Sequence, residues 1–303
     1  MSADNPVALV LGSGQLGLEL ARLPASYVRL RVAVRDEIDV TDAAAMRAAV
    51  IDIAPAIVLN ATAYTAVDKA ETEREVAFAV NRDGPAALAA ICDDLRIPLV
   101  HVSTDYVFDG QRGPYLESAA TSPQSVYGES KLAGEDAIRV RLDRHIILRT
   151  AWVFSAFGNN FVKTMLRLAA TRPEIDVVDD QTGCPTPAAA LAQAMLTLVE
   201  RFVSAEAPAW GTYHFAGRPA TTWRRFAEEI FAQATRAGLL PKAPKVNPIT
   251  SAQYPTAARR PSNSVLDCGA LARLGLAAPD WREGLGAVIS ELYRVRTAAE
   301  MAS

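Results

Sequence analysis

Two side chains four residues apart carry the first chemical hint. Tyr127 and Lys131 lie in the stretch VYGESKLAGE, from Val126 to Glu135. In a helix that spacing sets both on one face, a turn apart. A cation beside a phenol favours the phenolate, so the tyrosine becomes a better proton donor to an oxygen that is gaining negative charge. Alone, such a pair recurs by chance on helix surfaces. Its meaning depends on three other stretches: a glycine-rich turn from Gly12 to Gly17, NATAYTAVDKAE from Asn60, and STDYVFDG from Ser103.

Regular elements are needed to hold these stretches. Val7 to Gly12 is an apolar run ending in glycine, which reads as a buried parallel strand, and the amphipathic LELARL follows GSGQLG. Gly12, Gly14 and Gly17 thus give G-x-G-x-x-G between a strand and a helix, where small residues let the backbone approach a pyrophosphate at the helix N-terminus. The alternative is a strand-to-helix turn with no ligand. A second strand, about Val28 to Val34, ends in Arg35-Asp36. An acidic residue there suits the ribose of NAD, and an arginine suits the 2′-phosphate of NADP. Arg35 tips the reading toward NADPH, with NADH tolerated.

Further along, Asp39 to Asp42 reads as a turn and helix cap leading into AAAMRAAVIDIA. Strands are expected at Ala56 to Asn60, Pro98 to Thr104 and His145 to Arg149, with a long helix from about Glu73 to Leu95 that contains Asn81. Strand and helix alternate through residue 150, which predicts an α/β fold: a Rossmann-like, doubly wound parallel sheet. The expected division is a nucleotide-binding domain over 1–150, completed by about 186–205, and a smaller α/β substrate domain over 151–303 built from discontinuous segments. That second part is expected to hold a helix near Asn160 to Ala170, another over Ala188 to Phe202, the short strand GTYHFAG, a helix from Thr222 to Ala237, and a terminal helix at about Trp281 to Tyr293.

With 303 residues, half of them apolar and 21% charged, at a net charge of −3, the chain offers no electrostatic reason to propose nucleic acid or an anionic membrane as partner. Cys92, Cys184 and Cys268 are scattered and lack metal-site spacing, as expected of a reduced cytoplasmic protein. No apolar run reaches transmembrane length. His101 lies within a strand, His145 begins one and His214 sits in GTYHFAG, so all three read as structural.

Taken together, GSGQLG, NATAYTAVDKAE, STDYVFDG, SVYGESKLAGE and RTAWVF resemble the extended short-chain dehydrogenase/reductase superfamily, with DDQTGCPTP and RRPSNSVLD in support. The resemblance covers nearly the whole chain, and within the superfamily it is closest to the dTDP-4-dehydrorhamnose reductase family. Related sugar-nucleotide epimerases and dehydratases read something like Thr-Asp-Glu-Val-Tyr where this chain has Thr104-Asp105-Tyr106-Val107-Phe108. Tyr106 cannot replace the carboxylate that an elimination needs, so reduction is the preferred chemistry.

The resemblance implies roles by position. Tyr127 would protonate the C4 oxygen as hydride arrives, and Lys131 would lower its pKa and hold the nicotinamide ribose. Thr104, and with less support Asp105, would orient the reacting carbonyl. Gly12, Gly14, Gln15, Leu16 and Gly17 would surround the pyrophosphate. Asp39 and Val40 would lie near the adenine, and Ala61, Thr62 and Ala63 beneath the cofactor. Val67 and Asp68 would touch the sugar, and Trp152 would pack on it, although core packing suits that tryptophan equally. Arg260 or Arg259 would answer the diphosphate. Some family members bind Mg²⁺ at a dimer contact through a glutamate after Pro-Thr. Here PTPAAALA puts Ala189 or a neighbour in that place, and alanine cannot ligate a hard cation, so no metal is expected. The expected state is a monomer or weak homodimer acting on a sugar nucleotide. Two rivals stand beside this reading: a reductase of another 4-keto-6-deoxy sugar nucleotide, and a non-catalytic subunit resembling the regulatory subunit of methionine adenosyltransferase. The intact Thr104, Tyr127 and Lys131 weigh against the second.

Overall fold

The computed structural model describes residues 5–204 and 208–302. Five strands appear where apolar runs announce them: β1 (Val7–Leu11), β2 (Arg29–Ala33), β3 (Ile57–Asn60), β4 (Leu99–Thr104) and β5 (His145–Thr150). A sixth, Gly211–His214, pairs with β5, giving the order Gly211–His214, β5, β4, β3, β1, β2 with every pairing parallel. Thus the strand expected in the smaller second part belongs to the main sheet. Its partner β5 is buried along its whole length and needs cover on that edge.

The sheet is apolar on both faces because helices cover both. Helix α1 (Gln15–Arg22) and the helix Ala188–Val203 pack on one side over Val10, Leu59 and Leu148. Ala43–Ile53, Gly84–Asp94 and Val126–Arg141 pack on the other over Leu11, Val58 and Ile147. Asp42 caps its helix as its position suggests, accepting from the N–H groups of Ala44 and Ala45. The expected Glu73–Leu95 helix runs from Arg74 to Asp94 but carries a π turn at Ala79–Asp83, which buries the side chain of Asn81.

Leaving β1, the chain runs to β2 at the sheet edge and returns to β3 on the other side of β1. The topology therefore switches direction between β1 and β3, and open α/β sheets form their ligand crevice outside the carboxyl ends at such a point. The remainder of the chain builds a wall beside this crevice. Parallel strands Glu174–Val178 and Lys245–Ile249, with helices Phe161–Ala169, Trp223–Arg236 and Trp281–Ala302, enclose a second core around Phe154, Phe226 and Trp281. The terminal helix is longer than its sequence pattern suggests.

Candidate active site

The glycine turn after β1 uses its three glycines in three ways. Gly12 has φ +104°, where a side chain is strained, and a Cβ there would stand 3.1 Å from the Ala61 carbonyl and from Thr62 Cγ2. Gly17 lets α1 start hard against the strand, since a Cβ would come within 1.9 Å of the Gly12 carbonyl oxygen. Gly14 is different: nothing lies within 4 Å of where its Cβ would be. Protein packing does not demand glycine at that position. Open space at a helix N-terminus is what a pyrophosphate requires.

This turn is one end of a cleft of about 730 Å³. Gly12, Gly14, Gln15, Leu16, Arg35, Asp39, Val40, Ala61, Thr62 and Ala63 line it, and so do Val67, Thr104, Asp105, Tyr127, Lys131 and Trp152. Gly17 lies behind the turn. At the adenine end Arg35 Nε donates to Asp39 Oδ2 at 3.2 Å, yet the Arg35 side chain stays 77% exposed. Thr41 and, to a lesser degree, Arg35 hold the Asp39 carboxyl below its usual range. Asp68 and Arg260 are not part of the lining. They grip each other, with Arg260 Nη1 and Nη2 reaching Asp68 Oδ1 at 3.0 Å and Oδ2 at 2.6 Å. Arg260, expected with Arg259 as the alternative to answer the diphosphate, is thus ion-paired with Asp68, and neither arginine is in the lining.

The catalytic end is set by the helix Val126–Arg141. Ser125 caps it, its Oγ accepting from the Gly128 N–H at 3.2 Å, while Glu71 accepts from the Val126 N–H at 2.9 Å. Gly128 lets this first turn approach the loop after β4, since a Cβ would stand 2.3 Å from the Tyr106 carbonyl oxygen. Tyr127 is thereby brought near Thr104, the last residue of β4. Tyr106 packs edge-on against Tyr127 at 5.5 Å. Burial pushes the Tyr127 phenol up to about 12 and Asp105 adds to the rise, against the pull of Thr104.

Lys131 is not among the causes that set the Tyr127 phenol's pKa in this structure. The ammonium is turned away toward the Val102 carbonyl, at 2.7 Å, and His101 Nε2, at 3.2 Å. Burial brings Lys131 down to about 8, partly offset by Glu135. Asp105 is buried, and burial raises its carboxyl to about 6 against the pull of Ser264 and Thr104; the Thr104 hydroxyl donates to Oδ1 at 3.0 Å. Among the described residues the Asp105 Oδ2 has no hydrogen-bond partner. A buried carboxyl with one oxygen unsatisfied at a cleft wall is a ready acceptor for a ligand hydroxyl.

Sequence reasoning passed over several residues. Asn160 lines the cleft and ties the glycine turn to the second part of the chain, donating to Gln15 Oε1 at 2.9 Å. Trp223 stacks on Trp152 with ring centres 3.4 Å apart, which makes a two-ring floor where one tryptophan was expected. Asn81, in the π turn, pins the wall residue Tyr64 through both its N–H and carbonyl and also donates to Ser130 on the Tyr127 helix. A π turn at such a place is a common mark of a functional site, but no local pattern announces one. Among the described residues, no three His, Cys, Asp or Glu side chains stand together in a group that could hold a metal ion.

A switch-point cleft with a glycine turn at one end and a Thr–Tyr–Lys group at the other defines an oxidoreductase of the extended short-chain dehydrogenase/reductase kind. Residues 7–294 match the family model described as RmlD substrate binding domain, and the chain belongs to this family, that of the dTDP-4-dehydrorhamnose reductases. It is 44% identical over 274 residues to a dTDP-4-dehydrorhamnose reductase from Sinorhizobium fredii, covering 89% of this chain and 92% of that one. Among solved structures it is similar to the Bacillus anthracis dTDP-4-dehydrorhamnose reductase in complex with NADP, with a TM-score of 0.86 and 33% identity over 95% of this chain and 99% of that one. The Clostridium acetobutylicum relative gives 0.87 and 35%, over 94% and 99% respectively.

Proposed function

We propose that this protein reduces the C4 keto group of dTDP-4-dehydro-L-rhamnose to give dTDP-L-rhamnose, with NADPH as the preferred reductant and NADH tolerated. The observation that carries the reading is that Thr104, Tyr127 and Lys131 line the same cleft as an open Gly14. The residues fit the cofactor. Gly14 leaves room at the α1 N-terminus, and Arg35, which uses only Nε toward Asp39 among the described residues, offers its remaining donors to a 2′-phosphate. Bound NADPH supplies the hydride that is added to C4.

Each residue then has a task. Thr104 fixes the carbonyl oxygen beside the phenol. Tyr127, fully protonated near neutrality, delivers its proton to that oxygen as charge develops there, and is reprotonated afterwards from solvent. Lys131 holds ribose hydroxyls and lends positive potential to the transient phenolate. Asp105 takes a sugar hydroxyl on its free oxygen, and the Trp152–Trp223 stack supports the apolar edge of the deoxysugar. Val67 stands at the sugar end of the lining, whereas Asp68 and Arg260 act as a clasp beside it. Residues 1–150 and about 186–205, with the strand Gly211–His214, serve the cofactor; the rest of 151–303 serves the substrate. The setting we propose is cytoplasmic, as a monomer or weak homodimer without a metal.

The test follows nicotinamide oxidation with enzymatically prepared dTDP-4-dehydro-L-rhamnose, NADPH and NADH in parallel, and EDTA present. Turnover in EDTA, faster with NADPH, is the expected result. Cofactor binding without turnover, with or without added Mg²⁺, would remove the substrate assignment.

A further inference from the structure

Lys131 owes its place to a chain of buried side chains that crosses from the Tyr127 helix through β4 into β3. Its Nζ lies 3.2 Å from His101 Nε2. Across the ring, His101 Nδ1 lies 3.1 Å from Asn60 Nδ2. Asn60 Oδ1 in turn accepts from the Thr62 backbone N–H at 3.1 Å and from the Thr62 hydroxyl at 2.6 Å. Thr62 is the wall residue against Gly12, so the chain ends at the glycine turn. Asn60 and His101 have no exposed surface and Lys131 almost none, and their polar atoms are met by one another, by Thr62 and by the Val102 carbonyl.

The direction of each hydrogen bond follows from the chemistry of the groups. A backbone N–H can only donate, so the Thr62 N–H fixes Oδ1 of Asn60 on its side and turns Nδ2 toward His101. A donor facing Nδ1 requires that nitrogen to be bare. Burial, assisted by the Lys131 charge, holds His101 well below its usual pKa, and the ring is neutral. A neutral imidazole with a bare Nδ1 carries its proton on Nε2, which points at Lys131 Nζ. The other two histidines are held the opposite way, because their Nδ1 atoms face the carbonyls of Leu142 (His145) and Tyr115 (His214).

We propose that His101, locked in its Nε2–H form by Asn60 and Thr62, is a positioning residue that places the Lys131 amine and couples it to the wall of the glycine turn. An N–H aimed at Nζ suits the neutral amine, which accepts, and opposes the ammonium, which cannot. The other titratable and charged groups around Lys131 are Tyr127 and Glu135, one turn away on either side, with Arg149 of β5 beyond Glu135. The catalytic consequence rests on the reductase reading; the tautomer does not.

The first measurement is therefore made on the unmodified protein labelled with ¹⁵N-histidine, by NMR from pH 6 to 9. One ring of the three protonated on Nε2 and silent to titration, its signal missing from His101→Gln, is the expected spectrum. A His101 ring protonated on Nδ1, or one that titrates in this range, overturns the proposal. The second measurement is the pH profile of kcat for His101→Gln, whose amide oxygen accepts from the ammonium. Its alkaline limb should move up by about one pH unit, with kcat lowered about tenfold. A limb that stays in place, with only the melting temperature lowered, would reduce His101 to a packing residue. Absence of turnover in the unmodified protein would strike the reductase reading and leave the tautomer result standing.

Discussion

Lys131 and Glu135 sit one turn apart on the same helix and are equally buried, yet the protein treats their charges in opposite ways. Burial pushes the Glu135 carboxyl up, but Arg149 and Arg139 more than reverse this and hold it below its usual range. Arg149 meets it with Nε at 2.9 Å and Nη2 at 2.7 Å, and Arg139 adds a contact at 2.6 Å. Among the described residues Lys131 has no ion-pair partner. Its contacts are a carbonyl and a neutral imidazole, and its pKa falls to about 8. A charge that holds the fold together is neutralised where it stands. Lys131 has only the partial compensation of Glu135, and under the proposed function the fold bears the cost of a charge that waits for a ligand.

The comparison breaks first, and hardest, at Glu135. Glu135→Gln leaves Arg149 buried without its counter-charge, which should cost about 3–5 kcal/mol in urea unfolding. Turnover per folded molecule should stay within a few-fold of normal; a large loss of turnover at full stability would place Glu135 in the chemistry instead. Tyr127→Phe should do the reverse, lowering kcat about 10³-fold while fluorescence titration with NADPH shows unchanged affinity.

Lys131→Met should lower kcat about 10²-fold and raise the melting temperature at pH 7. The sign follows from proton binding. With a folded pKa near 8 against a usual 10.5, the folded state holds fewer protons than the unfolded state between those values. Stability therefore rises with pH across that window, and the full penalty, which methionine removes, is present below it. Asp105→Asn is the smallest and sharpest test. Its folded pKa of about 6, against a usual 3.8, makes stability fall as pH rises between the two. The asparagine variant should gain about 1–3 kcal/mol at pH 8 and nothing near pH 3.5. An equal gain at both values would mean that the carboxyl is not responsible.

Much of the site was legible because it is local. The glycine turn and the Tyr127–Lys131 spacing each need only one strand end or one helix, and sequence periodicity reports both. Thr104 and Asp105 came from the family resemblance; by themselves they read only as a strand end and turn. What escaped depends on register between distant segments. His101 reads as an ordinary strand histidine until β3 is laid beside β4, pairing it with Asn60. Asp68 and Arg260 look like two ligands for a substrate because nothing in their separate neighbourhoods says that they face each other. Trp223 opens a helix whose pattern gives no sign that its ring will lie flat on Trp152. The strand Gly211–His214 carries the same apolar character as strands of the second part, and only its partner β5 shows which sheet it completes.

That last strand also sets the order in which the chain can be finished. A ribosome that has released residues up to Thr150 has delivered five strands, with β5 as an open edge made wholly of residues that end up buried. Its cover arrives some sixty residues later, after the helix Phe161–Ala169 and the strand Glu174–Val178 but before the rest of the cleft wall. During that interval the nascent sheet presents a bare parallel edge, the feature most prone to pairing with another chain. Completion of the main sheet thus falls in the middle of synthesis of the second part of the chain.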